Sequence, residues 1–256
     1  MLKAYWVYLL KAKGATLLHS PFVFELYQKV IKSSQFYYAF SELENLRQKL
    51  SENPQKISVQ DYGAGSQHLS QRVRAVKDIA AYSLSSSKQA QMFFRLVNYF
   101  EPKVILETGT SLGLTTLYLA LPNSQSEVIT LEGCPQIAQL ARNHFNNLKA
   151  SNIRVVEGKI EETLPIILNE NRKLDFIFLD ANHRLKPTLQ YFEWCLPYIH
   201  AETVLVIDDI HWSEEMNQAW QTIQKHSEVS ITIDLFVCGL VFFKKNQAKQ
   251  DFILKF

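Results

Sequence analysis

Acidic residues stand directly behind runs of apolar residues at four places in this chain. Glu107 follows Val104-Ile105-Leu106, Glu132 ends Val128-Ile129-Thr130-Leu131, Asp180 follows Phe176-Ile177-Phe178-Leu179, and Asp208-Asp209 follow Val204-Leu205-Val206-Ile207. Histidines follow two of these places, as His183 and His211. A carboxylate at the end of a buried strand can hold hydroxyls or a cation. A histidine, with an ordinary pKa of roughly 6.5, can take a proton at neutral pH. Hydroxyl binding, cation binding and proton abstraction are therefore the chemistry these residues offer.

The first acid runs into a glycine loop, Glu107-Thr108-Gly109-Thr110-Ser111-Leu112-Gly113, and then into a helix-like apolar stretch. Gly109 and Gly113 lack a Cβ, so the backbone can turn tightly and approach a ligand. Dinucleotide folds usually show G-x-G-x-x-G and seat a pyrophosphate on the helix N-terminus. Here the spacing is Gly109-x-x-x-Gly113, and the Glu107 carboxylate would repel a pyrophosphate. A nucleoside with a positive centre and no phosphate fits better, and S-adenosylmethionine is such a ligand. Glu132, placed to accept from both hydroxyls of a ribose, supports an adenosine without choosing between cofactors. Gly158, behind Val155-Val156-Glu157, would let the chain bend beneath an adenine with Ile160 packed on the ring; a plain strand-to-helix turn explains those residues equally well.

Three carboxylates, Asp180, Asp208 and Asp209, converging at the end of a buried sheet would repel one another unless a cation held them. Hard oxygen ligands suit Mg²⁺ or another divalent ion. The alternative is that Asp208 and Asp209 cap the following helix, although Ser213, with Glu214 and Glu215 behind it, is the better cap. His183 is the candidate general base beside Asp180, with His211 as a supporting group. Lys186 is a rival base that would need burial to lower its pKa.

The elements that must position these residues alternate from about Pro102 onward. Strands are expected over Lys103–Glu107, Glu127–Glu132, Ile153–Glu157, Leu174–Asp180 and Thr203–Asp208, with helices such as Gln136–Asn147 and Pro187–Leu196 between them. Such alternation means a parallel sheet covered by helices. Ser230–Phe236 and Gly239–Lys244 read as a hairpin-like finish, so one late strand should run antiparallel. The expected fold is α/β: a Rossmann-like, seven-stranded, mostly parallel sheet with one antiparallel strand near the C-terminus, preceded by a helical N-terminal region. Residues 1–85 are expected as a helical cap and 86–256 as the Rossmann-like domain. Within the cap, Pro21–Ser33 and Ser41–Leu50 read as helices, Lys56–Gln60 as a short strand and Arg72–Ile79 as a charged helix; Ser85–Tyr99 reads as a further helix. Tyr5, Trp6, Tyr8, Phe22, Phe24 and Tyr27 recur near helical spacing and read as packing residues. A second acid-glycine run, Asp61-Tyr62-Gly63-Ala64-Gly65-Ser66, reads as a turn beside the site or as a loop reaching over the ligand.

The apolar fraction of 47% over 256 residues can supply a full core. A net charge of +2 without a Lys/Arg cluster argues against a dedicated nucleic-acid binder. Cys134, Cys195 and Cys238 are too scattered for a disulfide framework or structural zinc. Lys11 and Lys13 interrupt the apolar start, no cleavage site follows, and no run is long enough to span a membrane. The expected setting is the cytoplasm, with a homodimer through the cap as the expected assembly.

Taken in order, Ile105 to Gly113, Leu131-Glu132, Phe178-Leu179-Asp180-Ala181-Asn182-His183 and Val206-Ile207-Asp208-Asp209 resemble the class I S-adenosylmethionine-dependent methyltransferases, within them the small-molecule O-methyltransferases. The resemblance covers about Ser87 to Lys244. It implies that Glu107 and the loop with Gly109, Thr110, Ser111 and Gly113 hold the methionine end of the donor, that Thr115 adds a hydroxyl there, and that Glu132 holds the ribose. It also implies that Asp180, Asp208 and Asp209 match the metal set of the catechol-type enzymes. Those enzymes carry a lysine where this chain has His183 and commonly an asparagine where it has Asp209. His183 looks more like the branch of metal-dependent sugar and antibiotic O-methyltransferases. The implied reaction is methyl transfer to a small-molecule hydroxyl, with His183 taking its proton. The rival readings are an NAD(P)-dependent oxidoreductase on a related sheet and a non-catalytic binding protein.

Overall fold

The computed structural model describes residues 2–60, 73–170 and 172–256. The run 61–66 therefore lies outside the described residues. In chain order the helices are α1 Leu2–Lys11, α2 Pro21–Leu26, α3 Tyr38–Glu52, α4 Val76–Ser83, α5 Ser87–Phe100, α6 Leu114–Ala120, α7 Pro135–Asn147, α8 Ile160–Leu168, α9 Leu185–Cys195 and α10 Glu214–Lys225. The strands are β1 Lys56–Ser58, β2 Val73–Ala75, β3 Val104–Thr108, β4 Glu127–Glu132, β5 Ile153–Glu157, β6 Phe176–Leu179, β7 Val204–Asp208, β8 Ile231–Asp234, β9 Cys238–Phe242 and β10 Gln250–Ile253. Two compact units result, Gln35–Glu170 and Met1–Ser34 with Asn171–Phe256.

In the unit Gln35–Glu170, β3, β4 and β5 pair in parallel, with Glu107 opposite Thr130 and Glu132 opposite Glu157. β3 and β4 are largely branched, apolar and buried, as strands covered on both faces are, whereas β5 is half-buried and carries Arg154. Helices α3, α5 and α6 share a core with α7, in which Phe40, Leu43, Phe94, Leu117 and Tyr118 are buried. Phe40 and Phe94 meet edge to face at 5.0 Å. The Tyr118 hydroxyl donates to Glu44 at 2.5 Å. The charged helix expected over Arg72–Ile79 is divided in the described part: Val73–Ala75 pairs antiparallel with Lys56–Ser58, and the helix begins at Val76. Pairing with a distant strand overrides the local helical pattern there.

In the other unit the strand order is β10-β8-β9-β7-β6. β6 pairs with β7 in parallel and β10 with β8 in parallel, whereas β9 is antiparallel to both β7 and β8. This is the late antiparallel strand the hairpin-like finish called for. The three strands of one unit and five of the other exceed the expected seven by one, the four-residue β10, whose Gln250-Asp251 start carries no apolar alternation. Gly239 lets β9 pass against Trp220 of α10, because an added Cβ would lie 2.4 Å from the indole ring.

The first helix packs with the end of the chain. The Tyr8 hydroxyl donates to the Leu254 carbonyl at 2.5 Å, and Lys13 bridges Leu254. Of the N-terminal aromatics, Tyr8 and Tyr27 are buried, Phe22 meets Phe242 edge to face at 5.0 Å and Tyr5 rests on Phe236. Trp6 is 63% exposed, Tyr5 43% and Phe24 41%, so these three are not core residues as their spacing suggested. Among the described residues no helix is long and apolar enough to cross a membrane.

Candidate functional site

Glu107 is fully buried near the end of β3. Its Oε2 accepts from the Thr116 hydroxyl at 2.5 Å and the Thr130 hydroxyl at 2.6 Å, while Oε1 has no hydrogen-bond partner among the described residues. Burial pushes its pKa up to about 7; the two threonine bonds pull it down, and the nearby Glu132 charge adds to the rise. A buried carboxyl with one unmatched oxygen costs free energy unless protonated or given a cationic donor.

The loop behind it is held open by backbone geometry. Gly109 has φ 93°, Ser111 φ 48° and Gly113 φ 79°, three left-handed residues within five. The Gly109 and Thr110 amides donate to the Leu131 carbonyl at 3.0 and 3.1 Å, tying the loop to the end of β4. Glu132 accepts from the Ser111 amide at 2.9 Å and the Cys134 amide at 2.8 Å. A carboxylate has about four acceptor positions, and these bonds use one on each oxygen. Glu132 thus binds the glycine loop to the β4–α7 turn before any ligand arrives.

At Gly113 the space a Cβ would take is filled by Phe145, 2.6 Å from the ideal Cβ position. Thr115 is half-buried at the start of α6, and the hydroxyl that reaches Glu107 is that of Thr116. Thr116, Thr130 and Thr110, whose hydroxyl lies 2.6 Å from that of Thr130, form the polar surround of Glu107 that sequence reading missed. The available signal was a threonine inside the apolar run of β4, but register decides which acid it meets. Gly158 has φ 134°, donates its amide to the Glu132 carbonyl at 3.0 Å and leaves room for Thr163; Ile160 opens α8 and is half-buried.

In the other unit, the turn after β6 carries two consecutive left-handed residues, Asn182 at φ 67° and His183 at φ 37°. The His183 amide donates to the Ala181 carbonyl at 2.9 Å, and the Asn182 amide group donates to the Tyr191 hydroxyl at 3.1 Å. This turn brings His183 Nε2 to 3.5 Å from Asp180 Oδ1, with the ring 5.9 Å from that of Trp212. Such backbone costs about 1–3 kcal/mol per residue and persists where surrounding contacts enforce it. Asp209, also left-handed at φ 55°, donates its amide to the Val237 carbonyl at 2.8 Å; burial raises its pKa and the His183 charge lowers it.

Among the described residues no three His, Cys, Asp or Glu side chains are grouped to hold a metal ion. Asp180, Asp208 and Asp209 are all described, so as placed they do not form the ligand set that their sequence positions implied. Asp208 still belongs to β7, opposite Cys238 on β9, whereas Asp209 has turned out of the strand and Asp180 lies against His183. Neighbouring residues at a strand end share a site only when the turn folds both side chains to one side. Ser213 is the cap of α10, accepting from the Met216 amide at 3.1 Å. His211 pairs with Asp234 at 2.8 Å and stacks on Phe236. Lys186 is exposed, so the burial a lysine base needs is missing.

Residues 106–210 match the model of a methyltransferase domain family. Over this segment, about two fifths of its length, the chain is similar to methyltransferases. The chain is 31% identical over 129 residues to a catechol O-methyltransferase of Niastella koreensis, covering 49% of this chain and 57% of the relative. It is 28% identical over 127 residues to a catechol O-methyltransferase of Mycobacterium tuberculosis, covering 49% and 56%. The chain thus spans just over half the length of these relatives. In fold it is similar to a Podospora anserina methyltransferase solved with S-adenosylhomocysteine (TM-score 0.62, 17% identity, 84% of this chain and 91% of that one). It is also similar to an O-methyltransferase from Bacillus cereus solved with the same ligand (TM-score 0.58, 21% identity, 82% and 93%). Every segment that the sequence motifs singled out from Leu106 to Ile210 falls inside the matched methyltransferase domain.

Proposed function

We propose that the protein is an S-adenosylmethionine-dependent O-methyltransferase acting on a hydroxyl of a small molecule. The observation that carries this reading is the buried Glu107 with its unmatched Oε1. A carboxyl poised near neutrality fits the ammonium of an amino-acid group, which would hold it ionised, and does not fit a pyrophosphate. Glu107, Gly109, Thr110, Ser111, Gly113 and Thr115 would line the methionine end of the donor. Glu132 would take the ribose, with Gly158 and Ile160 toward the adenine. When bound, the donor supplies a methyl group on a positively charged sulfur.

The rest of the chemistry falls to this chain's side chains. His183 Nε2 takes the proton of the acceptor hydroxyl as the oxygen attacks, and Asp180 steadies the resulting imidazolium. Alignment of the oxygen with the methyl carbon provides much of the acceleration. No step is assigned to a metal, because the three aspartates are not grouped to hold one. The two named relatives make a catechol the first acceptor to try. Three free, buried cysteines agree with a reducing cytoplasm, and the exposed apolar side chains of α1 would serve a homodimer.

The test is calorimetry with S-adenosylhomocysteine and with NAD, followed by methyl transfer to a panel of phenols, catechols and sugars. Binding of the first ligand with transfer to at least one hydroxyl is expected. NAD binding without S-adenosylhomocysteine binding overturns the reading.

A further inference from the structure

Within the unit Met1–Ser34 with Asn171–Phe256, the two ends of the sheet carry opposite charge. Asp180, Asp208 and Asp209 lie where β6 and β7 finish. Where those strands begin, Lys173, Lys225, Lys244, Lys245 and Lys249 line one open cavity of about 940 Å³ with a single acid, Glu228. The lining has a surplus of four positive charges, whereas the whole chain has a surplus of two. The five residues of β7, at about 3.3 Å each, set the two ends roughly 17 Å apart.

Local structure accounts for three of the lysines. Lys173 donates to the Pro197 carbonyl at 3.1 Å and Lys249 to the His226 carbonyl at 2.9 Å, each quieting a helix end. Lys244 lies 3.9 Å from Glu202 and 4.2 Å over the Phe22 ring. Lys225 and Lys245 have no hydrogen bond or ion pair among the described residues. Val229 and Phe243, both buried, also line the cavity. Its volume falls within the range of about 300–1,000 Å³ typical of small-molecule sites. Concave walls also focus the field of like charges and concentrate a counter-ion.

We propose that this cavity is a second binding site, for a soluble small molecule bearing several phosphates. Lysine ammoniums are point charges that suit phosphate oxygens without demanding one geometry. One carboxylate would answer only part of the surplus, whereas a chain of phosphates carries on the order of four negative charges.

Inorganic tripolyphosphate is the probe, titrated calorimetrically into the full chain at low salt. Saturable binding is expected, weakening as salt is raised because exposed charges are screened. The double variant Lys225→Gln/Lys245→Gln should bind about tenfold more weakly or worse, while its melting temperature and its affinity for S-adenosylhomocysteine stay at the wild-type values. Lys29→Gln, at an exposed ion pair with Glu25 outside the cavity, should change nothing. No binding of the probe, binding unchanged in the double variant, or competition between the probe and S-adenosylhomocysteine each overturns the proposal. Preferential binding of duplex DNA or of phosphatidylserine vesicles over the probe overturns it as well, because the partner would then be a macromolecule or a lipid surface.

Discussion

Replacing Glu107 by glutamine keeps the shape of the side chain and removes its ability to ionise. Burial raises the Glu107 pKa from 4.5 to about 7 in the folded chain. A folded acid that holds its proton more tightly than the unfolded one loses stability as pH rises between the two values, and that gap is worth about 3 kcal/mol. The wild-type apoprotein should therefore lose about 3 kcal/mol between pH 4.5 and 7 through this group and nothing more from it above pH 7. The glutamine of the Glu107→Gln variant does not titrate. It still accepts the Thr116 and Thr130 hydroxyls through its carbonyl, and its amide takes the position of the unmatched Oε1, at a cost of about 1 kcal/mol. At pH 8 the variant should thus be more stable than wild type by about 2 kcal/mol, or roughly 4–8 °C in melting temperature; at pH 5 it should be equal or slightly less stable. S-Adenosylhomocysteine should reverse the order, because its ammonium needs the charge. Wild-type affinity should fall by up to about tenfold per pH unit below 7, and variant affinity should be weak and flat with pH. Thermal melts at the two pH values and calorimetry across them make the check. A variant destabilised equally at pH 5 and pH 8, with wild-type affinity independent of pH, refutes the argument that Glu107 is poised for a cation.

His183→Ala should lower kcat by about 10²–10⁴ while leaving the S-adenosylhomocysteine dissociation constant within about twofold; unchanged turnover in a methyl-transfer assay would move the base elsewhere. Glu132→Ala unties the Ser111 and Cys134 amides and removes the ribose acceptor, so calorimetry should show a loss in affinity of roughly 30-fold or more. Gly113→Ala forces a side chain into left-handed backbone and against Phe145, and should cost about 2–4 kcal/mol in a denaturant melt. Thr116→Val removes one bond that favours ionised Glu107, so the pH at which S-adenosylhomocysteine affinity levels off should move upward.

Much of this protein follows from local pattern. Branched apolar runs ending in an acid mark β3, β4 and β7 within a residue, because a strand buried on both faces is mostly apolar along its length. Glu107, the glycine loop and Glu132 can be read as a ligand-binding set from spacing alone, since a strand, a turn and a helix in close succession leave few alternatives. The tertiary structure decided what the periodicities do not encode. Glu107 meets Thr130 through the register of β3 against β4, a pairing between residues far apart in the chain. The first helix packs with Leu254 and β2 pairs with β1 for the same reason, and no local propensity announces either contact. Gly113 could be read as a turn residue, but its close neighbour, Phe145, comes from the next helix. The charge of Glu107 and the grouping of Asp180, Asp208 and Asp209 rest on burial and side-chain direction. These are properties of packing in three dimensions, where a one-residue turn sends a carboxylate toward a partner or away from it.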